Sequence, residues 1–145
     1  MLKLLMTDWL HADVAAIPIR EDVFIKEQNV PEADEWGHGD ETALHVVASL
    51  DGNAIGTARL TPEGTIGRMA VLKDFRNEGV GSAMLCKLIE AAKQSHFTTL
   101  TLNAQRSAEG FYAKHGFIAH GGEFIDAGIP HIAMSLELEP PSNKT

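Results

Sequence analysis

Apolar and polar positions in this chain follow two rhythms. Short apolar runs bounded by turn residues predict strands at 2–6, 43–50, 54–60, 65–72, 98–103, 117–125 and 130–138. Asp51-Gly52-Asn53 reads as a hairpin turn, Thr61-Pro62-Glu63-Gly64 as a second turn, and Asp126-Ala127-Gly128 as the link between the last two strands. A 3.6-residue rhythm marks 80–95. Val80, Met84, Leu88 and Ala91 share one face, flanked by Leu85, Ile89 and Ala92, while Ser82, Cys86, Lys87, Glu90 and Lys93 share the other. Residues 9–27 read as helical, capped by Asp8 or Asp13, with Pro18 starting a new helix or kinking one. A short helix follows at 107–115. The order β, α, three β, α, β, α, two β predicts an α/β (mixed α+β) domain with a central sheet and helices on both faces.

Composition narrows the class. The 145 residues are 44% hydrophobic and 22% charged, which suits one soluble domain over 1–139, with a disordered tail at 140–145. No apolar run reaches membrane-spanning length, and Met1 to Met6 is too short for a signal peptide. The Asn143-Lys144-Thr145 sequon is read as accidental. A single cysteine, Cys86, excludes an internal disulfide and suits a reducing, cytoplasmic setting. The net charge of −8 argues against nucleic acid as a partner.

Charge is unevenly spread. Glu27, Glu32, Asp34, Glu35, Asp40 and Glu41 fall in one stretch without Lys or Arg; His38 lies among them. Between Arg68 and Lys114 there are seven basic residues against four acids. The basic stretch suits an anionic ligand. The acidic run reads either as a solvated loop or as a surface for a cationic amine.

The chemistry concentrates in Arg76-Asn77-Glu78-Gly79-Val80-Gly81, between a predicted strand and a predicted helix. The first N–H groups of a helix lack intrahelical partners and carry partial positive charge, so they attract phosphate. Gly79 and Gly81 remove side-chain bulk from the approach. A dinucleotide fingerprint would need a third glycine where Met84 stands, and no Gly-Lys-Ser/Thr follows for a nucleotide-triphosphate loop. No Gly-x-Ser-x-Gly, His-Glu-x-x-His, His-x-His or cysteine pair is present, so the histidines form no recognisable metal motif.

What remains, Arg/Gln-x-x-Gly-x-Gly/Ala, resembles the coenzyme A pyrophosphate loop of GNAT-type N-acetyltransferases. Asn103-Ala104-Gln105, ending the strand at 98–103, and Phe111-Tyr112-Ala113-Lys114-His115-Gly116-Phe117 resemble that family's second signature in order and spacing. The resemblance covers roughly 46–138. Ile19 to Gln28 and Gly128-Ile129-Pro130-His131 are similar to the ElaA-like branch. Asn77 and Lys73 depart from the Gly and Pro often found there; neither position supplies an obligatory chemical group. The resemblance implies a GNAT-like mixed, mostly antiparallel sheet, with the strands at 65–72 and 98–103 splayed to admit acetyl-CoA. It places Arg76, Asn77, Glu78, Gly79, Val80, Gly81 and Ser82 at the pyrophosphate. It places the backbone of Met69, Ala70 and Val71, with Asn103, along the pantetheine arm.

Acyl transfer also needs proton donors and acceptors. Tyr112 is the candidate general acid. A phenol titrates near pH ~10, above a thiol's ~8.5, and so stays protonated to meet a departing thiolate. The base is open among Glu27, Glu35, His45, Glu123 and His131, directly or through water, with His131 and Glu27 the leading candidates. A free imidazole titrates near pH ~6.5, and His131 falls in the ElaA-like segment. The resulting reading is an acetyl-CoA-dependent N-acetyltransferase without a metal, acting on a small-molecule or peptide amine, cationic if the acidic run faces it. A membrane role is not expected, and a homodimer is left open. The rival is a non-catalytic acyl-CoA-binding regulatory module, which has no need for Tyr112 as an acid.

Overall fold

A computed structural model describes residues 1–36 and 39–138, without the Asp34 side chain. His38 and the 140–145 tail lie outside these residues. Strands β1 (Leu2–Thr7), β2 (Leu44–Leu50), β3 (Asn53–Leu60) and β4 (Ile66–Val71) form an antiparallel sheet in that order. Strands β5 (Thr99–Gln105), β6 (Ile118–Asp126) and β7 (Ile129–Glu137) form a second antiparallel sheet in the order β5-β7-β6. β4 and β5 meet at one parallel bridge, Thr65 to Thr101, where the Thr101 N–H donates to the Gly64 carbonyl at 2.9 Å. Beyond it the two strands belong to separate sheets, as the resemblance implied.

Helix α3 (Val80–Gln94) inserts Val80, Met84, Leu85, Leu88 and Ala92 into the main core, as its periodicity predicted. Cys86 lies on the exposed face. Helix α1 (Trp9–Arg20) begins at Asp8, whose carboxylate accepts from the His11 N–H at 3.1 Å. Pro18 neither starts nor ends it. The proline sits on the exposed side, where water can serve the carbonyl left without its N–H partner. The helix then widens into a π-helical segment, Glu21–Glu27, closed by the Gln28 N–H donating to the Val23 carbonyl at 3.1 Å. No periodicity announces that widening. It buries the neighbours Val23 and Phe24 together against Ile19 and Ala70. Among the described residues no helix is long and apolar enough to cross a membrane.

The acidic run takes a form the sequence did not suggest. It is neither a wholly solvated loop nor a free acidic wall. Glu35 ends the short helix α2 (Glu32–Glu35) and is buried, as is Asp40. Arg20, 1% exposed, donates from Nε to Glu35 at 2.6 Å and from Nη1 to Asp40 at 2.8 Å. Its Nη2 reaches the Glu35 carbonyl at 3.1 Å. Trp9 and Trp36 cover the guanidinium, with ring centroids 5.4 and 5.0 Å from its carbon. Arg59 on β3 shares Asp40 at 2.7 Å. Isolated buried charge is prohibitively costly, so acids in this segment fold inward onto arginines.

Replacing Arg20 with Met should therefore destabilise the protein by about 3 kcal/mol or more, because it leaves buried carboxylates without their main partner. A fall in the urea midpoint with an unchanged denaturant slope would record this.

Candidate active site

Where β4 leaves β5 a cavity of about 370 Å³ opens. Met69 of β4, Leu102 and Asn103 of β5, Tyr112 and His131 of β7 line it. Phe24, Gln28, Val30 and Glu35 close it from the amino-terminal segment. Gln105 donates to the Gln28 side-chain carbonyl at 2.8 Å, tying β5 to the end of the π-helical turn.

β4 is irregular here. Thr57 pairs with Ala70 and Arg59 with Gly67, so Arg68 and Met69 together oppose Ala58. This is a β-bulge, which bends a strand and re-aims its side chains. Arg68 adopts φ +50°, a left-handed conformation uncommon for a residue with a long side chain. Its Nε lies 3.6 Å from Glu35, and Arg68 and Arg59 are both cavity-lining residues, as is Asp126.

Tyr112 stands on the short helix α4 (Glu109–Lys114), packed edge-on against Phe111 and Phe117 at 5.0 and 5.9 Å. Its hydroxyl donates to the Met69 sulfur at 3.8 Å. Burial pushes the phenol up to about 12. The group is therefore firmly protonated at neutral pH.

The glycine loop precedes α3 with Asn77 at φ +64° and Gly79 at φ +87°, both exposed. Gly79 occupies the helix N-cap position in a conformation glycine adopts without strain, and no side chain caps the helix. A Cβ on Gly81 would lie 3.4 Å from the Phe111 ring, an ordinary contact. Ser82 Oγ bonds His115 Nε2 at 2.9 Å. Arg76 is engaged within the protein. It grips Glu27 in both arms at 2.6 and 2.7 Å, and its Nε donates to the Val71 carbonyl at 2.9 Å.

The candidate bases separate by environment. Glu27 is not a cavity-lining residue; hydrogen bonds from Arg76 hold its carboxyl below the ordinary range against the opposing effect of burial. Glu35 lines the cavity but belongs to Arg20. His45 is buried beneath Trp9, its Nε2 donating to the Asp40 carbonyl at 2.9 Å. Glu123 is exposed, 3.6 Å from Arg106. His131 remains in the cavity wall, stacked on Phe124, with Nδ1 2.7 Å from the Ile129 carbonyl. A carbonyl only accepts, so Nδ1 carries the proton and Nε2 of the neutral ring keeps its lone pair. Among the described residues no group of three or more His, Cys, Asp or Glu is arranged to hold a metal ion.

Sequence reasoning missed Arg59, Arg68, Gln28 and Phe24. The signal for the arginines was their place inside two apolar strand runs, at 54–60 and 65–72; Phe24 and Gln28 fall in the Ile19 to Gln28 segment already noted for its resemblance.

Residues 13–138 match the acetyltransferase (GNAT) domain family, and the chain belongs to it. A Bacillus subtilis relative, the uncharacterized N-acetyltransferase YjcF, is 38% identical over 123 residues, covering 82% of this chain and 88% of that one. Among solved structures, Escherichia coli ElaA superposes with a TM-score of 0.83 at 27% identity, covering 93% of this chain and 99% of ElaA. An acyl-CoA N-acyltransferase from Pseudomonas aeruginosa gives 0.78 at 26% identity, over 94% and 99% of the two chains. The ElaA-like branch is thus the one this chain resembles.

The buried network also sets a pH dependence. Burial holds His45 below its usual 6.5. For Asp40, burial pushes upward, but hydrogen bonds and charge from Arg20 and Arg59 prevail and hold it below 3.8. Both folded values are depressed, so both contributions are complete above the unfolded values and are lost as pH falls. The urea midpoint should decline as pH drops below 6.5 and again below 3.8. His45→Gln should remove the first decline alone, as parallel titrations of the two proteins would register.

Proposed function

We propose that the protein transfers an acetyl group from acetyl-CoA to an amine, by direct attack of the amine on the thioester. The observation that carries this reading is Tyr112, a strongly protonated phenol in the cleft where β4 parts from β5. The residues present fit the donor: an uncapped helix N-terminus for pyrophosphate, and a splayed strand edge for the pantetheine amides. Acetyl-CoA supplies an acyl group activated as a thioester.

The N–H groups of Gly79, Val80, Gly81 and Ser82 hold the pyrophosphate, with Asn77 and Glu78 shaping the loop. The backbone of Met69, Ala70 and Val71, with Asn103 opposite, holds the pantetheine arm. Arg76 acts by clamping Glu27, which ties the π-helical segment to the loop. Tyr112 gives its proton to the leaving sulfur. His131 Nε2 takes the proton from the amine, directly or through water, while Nδ1 stays anchored on Ile129. Glu27, paired to Arg76, is a poor base and serves position instead.

Acetyl-CoA should raise the melting temperature of the wild-type protein by mass action. Gly81→Ala should retain this shift, since its methyl has room beside Phe111. Gly81→Glu should lose it, because a carboxylate would meet the pyrophosphate. A folded Gly81→Glu protein with undiminished affinity would remove the donor from this reading.

Tyr112→Phe keeps the ring and deletes the proton. With an amine found by free-thiol detection, turnover should fall roughly 10- to 1000-fold while acetyl-CoA affinity stays near normal. Equal turnover under conditions where chemistry limits the rate would reduce Tyr112 to packing, as in a non-catalytic acyl-CoA-binding module.

A further inference from the structure

Two side-chain amides meet at the cavity. Gln105, the last residue of β5, donates from Nε2 to Oε1 of Gln28 at 2.8 Å, and both residues line the space. Both are half-buried. A glutamine amide carries two N–H donors and a carbonyl with two lone pairs. The bond between them uses one donor and one lone pair. Among the described residues neither amide makes another hydrogen bond. The pair therefore offers a ligand N–H donors and a carbonyl acceptor side by side, whichever way the two amides are turned. Their mutual bond restrains both groups before any ligand arrives.

Register sets this pair beside the proposed base. Gln105 stands directly opposite His131 across the β5–β7 ladder, and side chains so placed have Cβ atoms about 5 Å apart. Asn103, assigned above to the pantetheine arm, is two residues back on the same face of β5, a step of about 7 Å. An amine held between the thioester and His131 Nε2 thus has its neighbouring atoms at Gln105 and Gln28. Charge does not choose the ligand here. Arg59 and Arg68 line the cavity, but so do Glu35 and Asp126, and Arg68 lies 3.6 Å from Glu35. Ions of both signs leave selectivity to the neutral amides. A group that accepts from an N–H and donates to a carbonyl through adjacent atoms is itself an amide.

Resting on the acetyl-transfer reading above, we propose that the acceptor is an α-amino amide, a primary amine one carbon from a carboxamide or peptide bond. Gln28 and Gln105 grip that amide and so set the amine against His131. Such an amine also suits an imidazole base, because an α-amino group titrates near pH ~8 and a lysine-like alkylamine near ~10.4. In the reaction the nitrogen gains the bond to the acetyl carbon, the carbon–sulfur bond breaks, the nitrogen's proton passes to His131, and the thiolate takes the proton of Tyr112.

The test is a matched series sharing one side chain. Its members are the α-amino amide, its N-methyl amide, its methyl ester, the alkylamine lacking the carbonyl, and a tripeptide beginning with that residue. Acetyl-CoA is the donor and released thiol the readout, with rates referred to the neutral fraction of each amine. Acetyl-CoA melting shifts are recorded on the same protein. The amides should exceed the ester and the alkylamine by roughly 10-fold or more in kcat/KM, chiefly through KM, since the ester keeps the carbonyl but has no N–H to give. Gln28→Leu and Gln105→Leu should each bring those ratios near one; melting curves establish that the variants fold. A tripeptide acetylated faster than the small amide would assign the grip to a polypeptide end, and the reverse to a free small molecule. Ester or alkylamine used as well as the amide by the wild-type protein, or ratios unmoved in folded Leu variants, would each overturn the amide acceptor alone. So would a series left untouched while another amine is acetylated. No amine acetylated at all, or no stabilisation by acetyl-CoA, would instead overturn the acetyl-transfer reading on which it rests.

Discussion

The Arg20 guanidinium, buried between two tryptophans and bonded to Glu35 and Asp40, is the interaction on which the site depends. It joins the end of α1 to Glu35 at the end of α2 and to Asp40. Val23 and Phe24 pack on Ala70 and Glu27 is held by Arg76, but Glu35 and Asp40 are brought against the sheet by this guanidinium and by Arg59. With it, Phe24, Gln28, Val30 and Glu35 become a wall. The network is unforgiving, because each charge taken from water must be matched in place. A partly matched cluster would be worse than an apolar core. That demand turns a loosely patterned stretch into a defined surface.

A second constraint is the failure of β4 to pair with β5 beyond Thr65. Two parallel neighbours that part leave backbone groups unpaired, and such groups call for a partner. The bulge at Arg68 and Met69 compounds this on the other edge of the same strand. The donor reading uses the first irregularity. Burial of Tyr112 beside them keeps its proton in place at neutral pH. The protonated phenol favours a protonated leaving group.

The net charge of −8 includes acids that folding pairs with arginines. Glu27, Glu35 and Asp40 are each matched by arginines drawn from distant parts of the chain. Overall charge describes the surface a protein shows to water. It says little about carboxylates that arginines already hold inside the fold.

The sequence by itself determined the strands, their hairpin turns, the α3 face and the glycine loop. Those features are set by neighbours a few residues apart: the periods of helix and strand, and the left-handed turn at Gly79. It also carried the signatures at Gly79, Gly81 and Tyr112. Only the tertiary structure decided which acids met which bases. Arg20 finds Asp40 20 residues away, Arg59 finds the same carboxylate 19 residues back, and Arg76 finds Glu27 at a separation of 49. Coulomb attraction chooses no partner by sequence position. The pairing is fixed by which strands lie side by side and by how little water remains between them. An acidic run was therefore legible as charge and not as structure, and the cavity with its mixed arginines and acids came into being only when the chain folded around it.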